Sequence, residues 1–443
     1  MFDQSFLEEI QSNLMKVRGN FKEVYIENFN RLLFTNSKDK IKILPFFKIG
    51  LGIRVERGSS MIFKKKQSCD LNNLLHFLKY FDEANIRKDK AMVEKKFVSR
   101  EKDCILSMEE IMHLQEGLTS LLVQNEEYGE ITPAVNVNRK YWAVINSEGV
   151  LVNEKQDYWT IYFFVEKKGG VGAESIVLYG KREINEIKGY AKKVLEEAYK
   201  TLLFRKTSSS KITGKIPVVF SSRASGFLFN EALSHFFEAD LDHKTKFSKL
   251  IGEEIALKEI TFSDIGPDPD YAQYDSEGYK PTSPTIMIEN GKVANLLTNR
   301  QSAKSLFLKR TGNGMRSNFR CQPVVGSWNI HLMPSKYDEM ELIENVDFGL
   351  YVKRLEDGYL SLKRGIFSFP VTESYIIRNG KISEGVKNIA ISGKTPQFLK
   401  DIKLIGSKAE TYKGLRKKGE QFLKTSETVP PILIKEILVN AIK

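Results

Sequence analysis

Glu231, His235 and Glu238 are spaced i, i+4 and i+7, which on an α-helix puts two carboxylates and an imidazole on one face. Around them stand Phe227, Leu228, Phe229, Leu233, Phe236 and Phe237. A helix so apolar is expected to be largely buried, so its polar stripe must be paired, solvated in a cleft or bound to something. Hydrogen bonding along the Glu–His–Glu face is the plain reading. The chemical reading starts from zinc hydrolases, where His-Glu-x-x-His supplies two imidazoles and a general-base Glu. That pattern is absent. The chain has Asn230-Glu231-x-x-x-His235.

The elements that must carry this face can be read on either side of it. A chain of 443 residues exceeds what one core usually holds, about 250–300 residues, so two domains are expected. Phe6, Ile10 and Leu14 give an amphipathic helix over Phe2 to Arg18, and VYIENFNRLLF, IKILPFFKIGLGIRVERG and SSMIF read as a small antiparallel sheet. Asp70 is placed to cap a helix bearing Leu74, Leu75, Leu78 and Phe81, and Ser107 with Glu110 makes a capping box. His76 and His113 on these helices lack a partner at ligand spacing. Strands in YWAVINSEGVLVNEKQDYWTIYFFVEKKG and a helix from Glu183 to Leu203 complete a mixed α+β half. The Ser, Thr, Lys and Gly run from Arg205 to Lys215 reads as a linker, giving domains 1–210 and 211–443. Beyond it lie the strand IPVVF, the apolar helix near residues 225–239, and hairpin signals at Asn290-Gly291, Asp357-Gly358 and Asn379-Gly380, each expected as a type I′ turn. The fold class is α+β, an N-terminal α+β domain followed by a mainly antiparallel β domain with one metal-motif-like helix.

Composition narrows the function classes. With 41% hydrophobic and 28% charged residues the chain is built to bury a core. The opening MFDQSFLEEIQ has acids where a signal peptide has Lys or Arg, and no apolar run approaches the ~18–20 residues that cross a bilayer. A cytoplasmic protein without membrane association is expected. Cys69, Cys104 and Cys321 are too scattered for a disulfide framework or zinc ribbon. The formal charge of +12 would suit nucleic acid, but acids interleave with the lysines as on a solvated surface, so no such partner is expected. Thr311 to Gly314, TGNG, lacks the ending of a phosphate loop and reads as a turn.

N-E-x-x-x-H resembles the H-E-x-x-x-H motif of the TldD/PmbA family, with Asn230 at the first His. The resemblance continues in order through KIPVVFSSRASGFLFNEALSHFFEADL, YDSEGYKPTSPTIMIENGKV, TGNGMRSNF, NVDFGLYV and SFPVTESYIIRNGKI, with GLGIRVERG and RKYWAVINSEGVLV upstream. The loop and the helix look more like TldD than the PmbA side. The resemblance implies a peptide-processing metalloprotease whose zinc is held by both motif histidines and a Cys near the C-terminus, with the motif Glu activating water. Carried over, His235 matches the second ligand, Glu231 the general base and Asn230 the first ligand position, where an amide is a poor zinc donor. The Cys is expected beside a loop resembling GLRKKGEQF, where Leu415 or Arg416 stands, and no Cys follows Cys321. A catalytic zinc takes three protein ligands plus a water. Zinc is therefore expected to be absent or weakly held, and the chain is read as a subunit that binds unfolded or extended peptide without cutting it. It would work as a dimer, including a heterodimer with a TldD-type subunit. An active zinc metallopeptidase recruiting Glu238, Asp242, His243 or His331 is the alternative, and a gyrase- or nucleic-acid-associated protein is a third reading.

Overall fold

The computed structural model describes residues 1–37, 40–68, 71–81, 105–207, 212–281 and 284–442. Its first part runs α1 (Gln4–Lys16), β1 (Phe21–Ser37), β2 (Lys40–Arg57), β3 (Ser60–Gln67), α2 (Leu71–Lys79), α3 (Met108–Val123), β4 (Glu130–Asn146), β5 (Leu151–Lys167), β6 (Gly170–Tyr179) and α4 (Ile184–Thr207). The strands form one antiparallel sheet, β3-β2-β1-β4-β5-β6. Strand alternation sends Val24, Ile26 and Phe34 of β1 to the same face. Helices cover that face from both ends: Leu7, Ile10 and Leu14 of α1 pack over one end with Leu74 and Leu78 of α2, and α3 and α4 pack over the other. The Ser107 capping box forms, with its hydroxyl accepting from Glu110 N at 3.2 Å and Glu110 accepting from Ser107 N at 2.7 Å. Cys69, Cys104 and the cap expected at Asp70 lie outside the described residues.

The second part begins with β7 (Gly214–Phe220) and α5 (Ser222–Leu228). The strands that follow are β8 (Phe262–Asp264), β9 (Thr285–Glu289), β10 (Lys292–Val293), β11 (Gly314–Met315), β12 (Val324–Val325), β13 (Asn329–Leu332), β14 (Phe348–Leu355) and β15 (Tyr359–Ser361). The chain ends with β16 (Ile366–Arg378), β17 (Lys381–Gly385), β18 (Ile389–Lys394), β19 (Ile402–Ile405), β20 (Glu410–Lys418), β21 (Gln421–Val429) and β22 (Ile432–Ala441). One sheet has the order β10-β9-β8-β13-β21-β20; another runs β14-β7-β22-β18-β16, and β14 also pairs β16, closing a ring. All pairs are antiparallel except β13–β21 and β14–β7. Phe229, Phe237, Phe262, Phe367 and Phe398 lie in the core beneath these sheets. No helix among the described residues is long and apolar enough to cross a membrane.

Two expected hairpin turns have the left-handed pairs of a type I′ turn, Asn290 (φ 48°) with Gly291 (φ 80°) and Asn379 (φ 49°) with Gly380 (φ 71°). Asp357-Gly358 does not turn β14 back on β15; both strands pair with β16 instead. Gly358 serves close packing there, since a Cβ would stand 2.3 Å from the Ser368 carbonyl oxygen.

The other face of the first sheet packs on loops of the second part. Tyr25, Trp142 and Val144 surround Phe319, and Tyr158 and Tyr179 meet Tyr271 and Trp328. Gly50 of β2 makes room for the Phe319 ring, which would lie 2.2 Å from a Cβ at that position. Buried charges cross the same boundary: Arg54, paired with Glu23 inside the first sheet, also reaches Glu277, and Arg316 reaches Glu23, each at 2.6 Å.

Candidate functional site

Strand β7 delivers the chain to Ser221, whose hydroxyl accepts from Ala224 N at 3.2 Å and starts α5. The expected single helix near 225–239 therefore begins earlier, and it changes pitch twice. α5 ends at Leu228, Phe229–Leu233 is a π turn, and Ser234–Phe237 is a 3-10 turn. Such π turns recur at functional sites because the inserted residue re-aims its neighbours. The polar stripe survives the change: His235 Nδ1 lies 2.9 Å from Glu238 Oε2, and its Nε2 lies 4.0 Å from Glu231 Oε2.

What these groups surround is Arg416, reaching in from β20 with its side chain 4% exposed. Its Nη2 donates to Glu238 Oε1 at 2.7 Å, its Nη1 to Asn230 Oδ1 at 3.2 Å and Ser327 Oγ at 3.0 Å, and its Nε to His235 Nε2 at 3.3 Å. Its Nη2 also lies 2.5 Å from His235 Nδ1, the nitrogen that Glu238 meets. Glu231 Oε1 lies 3.9 Å from the guanidinium. Glu238 can only accept, so its contact requires Nδ1–H and leaves Nε2 to accept from Arg416 Nε, while Nη2 meets the protonated Nδ1 without a hydrogen bond. Lys418, two residues on and so on the same side of β20, reaches Glu238 at 2.8 Å and Asp240 at 2.7 Å.

The electrostatics follow from this crowding. Burial pushes the Glu238 carboxyl up, but Arg416 and Lys418, with His235, outweigh it and hold it well below the usual range. Burial, then Arg416, pushes the His235 imidazole down and keeps it neutral. Glu231 is raised by burial to about 7, against the pull of Arg416. Glu427 on β21 is raised to about 8 by burial and then by Glu231, while accepting from Asn230 Nδ2 at 3.2 Å.

Of the other residues considered from sequence, Asp242 binds Ser248 at 2.7 and 2.6 Å, and exposed His243 faces the Asp240 carbonyl. His331 is on β13 opposite Ser263, away from the motif. Leu415 is exposed and Arg416 is the one that points inward. Sequence reasoning missed Lys418, Glu427 and Ser327; the alternation of Arg416 and Lys418 along a strand was the available signal.

Zinc does not fit this arrangement. The lone pair of His235 Nε2 and the oxygen of Asn230 are both turned on a guanidinium, and no thiolate stands near. Among the described residues no three His, Cys, Asp or Glu side chains are grouped to hold an ion.

A cleft of about 590 Å³ opens beside the motif, flanked by β6 and β20 and lined by Val177, Phe227, Leu355, Tyr412, Leu415 and Glu427. Each flanking strand ends its sheet. Glu427 thus faces both the cleft and Asn230.

Residues 213–441 match the model of the PmbA/TldA metallopeptidase C-terminal domain. A metalloprotease TldD homolog of Buchnera aphidicola is 29% identical over 225 residues, 50% of this chain and 46% of that protein. A zinc metalloprotease TldD homolog of Saccharolobus solfataricus is 29% identical over 252 residues, 56% of each. The match to these two relatives spans about half of their length. The solved structure of TldE from Thermococcus kodakarensis shares the fold, with a TM-score of 0.70 at 16% identity over 99% of this chain and 98% of that one.

Proposed function

The chain belongs to the PmbA/TldD metallopeptidase family, and from that premise we propose that it is a subunit that binds extended peptide and does not itself hydrolyse it. The observation that carries this reading is the guanidinium of Arg416 among the motif's donors. Metal-assisted hydrolysis depends on an open coordination position and a bound water whose pKa falls to about 7. A guanidinium offers only N–H donors and no such position. Glu231, raised to about 7, then has no activated water to deprotonate.

Peptide binding draws support from the cleft. Two sheet edges, β6 and β20, face it, and an extended chain can add to such an edge through main-chain hydrogen bonds while side chains settle in pockets. Phe227 and Leu355 supply apolar surface, and Glu427, bonded to Asn230 of the motif, brings a polar group to the same wall. In this reading the protein acts in the cytoplasm as part of a dimer, with the cutting done by a TldD-type subunit that has an intact H-E-x-x-x-H.

The test combines the chain with such a partner and follows both complex size and cleavage of a labelled unstructured peptide. The expected result is a mixed complex that cuts, while this chain alone binds the peptide, seen by fluorescence anisotropy, and leaves it intact. Cleavage by the chain alone, abolished by His235→Ala, would make it an active metallopeptidase instead.

A further inference from the structure

We propose that Arg416 is an internal replacement for a metal ion, a cation supplied by β20 to a position that remains organised for ligation. The inference rests on the non-catalytic reading above and adds a statement about what the site still is.

The organisation shows in the order of contacts outward from the guanidinium. An imidazole that binds a metal through Nε2 usually donates its other N–H to a carboxylate, which sets the tautomer and aims the lone pair. His235 has this arrangement, with Glu238 2.9 Å from Nδ1 and Arg416 Nε 3.3 Å from Nε2, and the guanidinium spans the ring, its Nη2 2.5 Å from Nδ1. The supporting carboxylate meets Lys418 at 2.8 Å as well as Arg416 at 2.7 Å, so the two cations share its compensation. Glu231 stands to one side, 4.0 Å from His235 Nε2 and 3.9 Å from the guanidinium, without a hydrogen bond to either. An ion held by a thiolate at position 416 would have to take over the share of that compensation that Arg416 supplies.

Reach makes the exchange specific. Zinc bonds are about 2.3 Å to sulfur and about 2.0–2.1 Å to nitrogen. A thiolate at position 416 with its ion would extend from β20 about as far as the arginine does to its Nε, which is the atom that His235 meets. Asn230, whose side chain contacts the same guanidinium at 3.2 Å, is the second position from which a donor can reach. Substituting Asn230→His and Arg416→Cys together supplies two imidazoles and a thiolate, three donors in a shell that already holds the carboxylate support they need.

The experiment is a cobalt(II) titration of the wild-type chain and of the N230H/R416C variant, reading thiolate-to-cobalt absorption and metal retained after dialysis. Expected are no retained cobalt in the wild type and one equivalent, with the thiolate band, in the variant. Stoichiometric metal in the wild type, or a variant folded by circular dichroism that retains none, would overturn the proposal. Should the variant not fold, a thermal cycle of R416M, E238Q and the two combined decides. A combined loss of melting temperature smaller than the sum of the single losses supports a cation that neutralises Glu238, and additive losses refute it. A wild-type chain that fails to bind peptide while the variant takes up cobalt would end the functional reading and leave this one standing.

Discussion

Replacing Glu238 by Gln keeps its shape and removes its charge, and the structure sets the size of the effect. The carboxylate is fully buried between Arg416 at 2.7 Å, Lys418 at 2.8 Å and His235 at 2.9 Å. Removing one partner of a buried ion pair costs about 3–5 kcal/mol, because the other charge stays buried and uncompensated. Lys418 would keep Asp240 at 2.7 Å, and that retained pair sets the lower end, about 3 kcal/mol, as the least cost, because Arg416 is left with no carboxylate nearer than Glu231 at 3.9 Å. Spread over 443 residues at about 2.1 cal/mol/K each, unfolding carries roughly 0.9 kcal/mol/K, and the melting temperature should fall by about 3 °C. Acid gives a second arm. The Glu238 carboxyl lies below its ordinary value in the folded chain, so its stabilisation is complete above the unfolded pKa near 4.3 and is lost as pH falls below it. Differential scanning calorimetry of both proteins from about pH 3 to 7 measures the difference. A variant melting within about 1 °C of wild type at neutral pH, or a gap that does not narrow in acid, refutes the reasoning.

Glu23→Gln should loosen the contact between the first sheet and the second part, since Arg54 and Arg316 both lean on that carboxylate at 2.6 Å; a loss of about 3–5 kcal/mol and earlier cutting in limited proteolysis are expected. Gly50→Val should do similar damage by displacing the Phe319 ring, measured as a lower melting temperature and altered near-ultraviolet dichroism. Lys424 tests the opposite sign. Burial, then Lys140, pushes its ammonium down to about 7, so between pH 7 and about 10 the unfolded state binds the extra proton and stability rises with pH. Lys424→Met should therefore melt higher than wild type at neutral pH, with the advantage shrinking toward about pH 10, and a constant difference would contradict this.

Most elements were legible because their cause is local. The Ser107 box, the α1 face of Ile10 and Leu14, where Leu7 and not the expected Phe6 is the fully buried neighbour, and the Asn-Gly turns at 290 and 379 each depend on residues within a few positions of one another. Asp357-Gly358 misled for the complementary reason. Asn-Gly and Asp-Gly favour the same turn, but here β16 is long enough to pair with both flanking strands, and Gly358 answers to the Ser368 carbonyl rather than to a turn. The charges that join the first sheet to the second part were not legible at all, because Glu23 and Arg316 are brought together by topology from opposite ends of the fold.

The motif shows the same division at the scale of a site. The face of Glu231, His235 and Glu238 could be read from spacing, and it converges despite the π turn that breaks the assumed helix. Subtraction from sequence reached an empty conclusion, a motif lacking one imidazole and one thiolate. Geometry changes that conclusion in kind. A buried carboxylate braced on an imidazole needs positive charge nearby, and where the ligands for an ion are incomplete the requirement falls on a residue that carries its charge at every accessible pH. Arg416 meets it, and Lys would do so less well, since only the planar fork reaches Glu238, Asn230 and His235 at once. In the proposed reading the arginine stands where an ion would, and the donors around it are held by the same contacts.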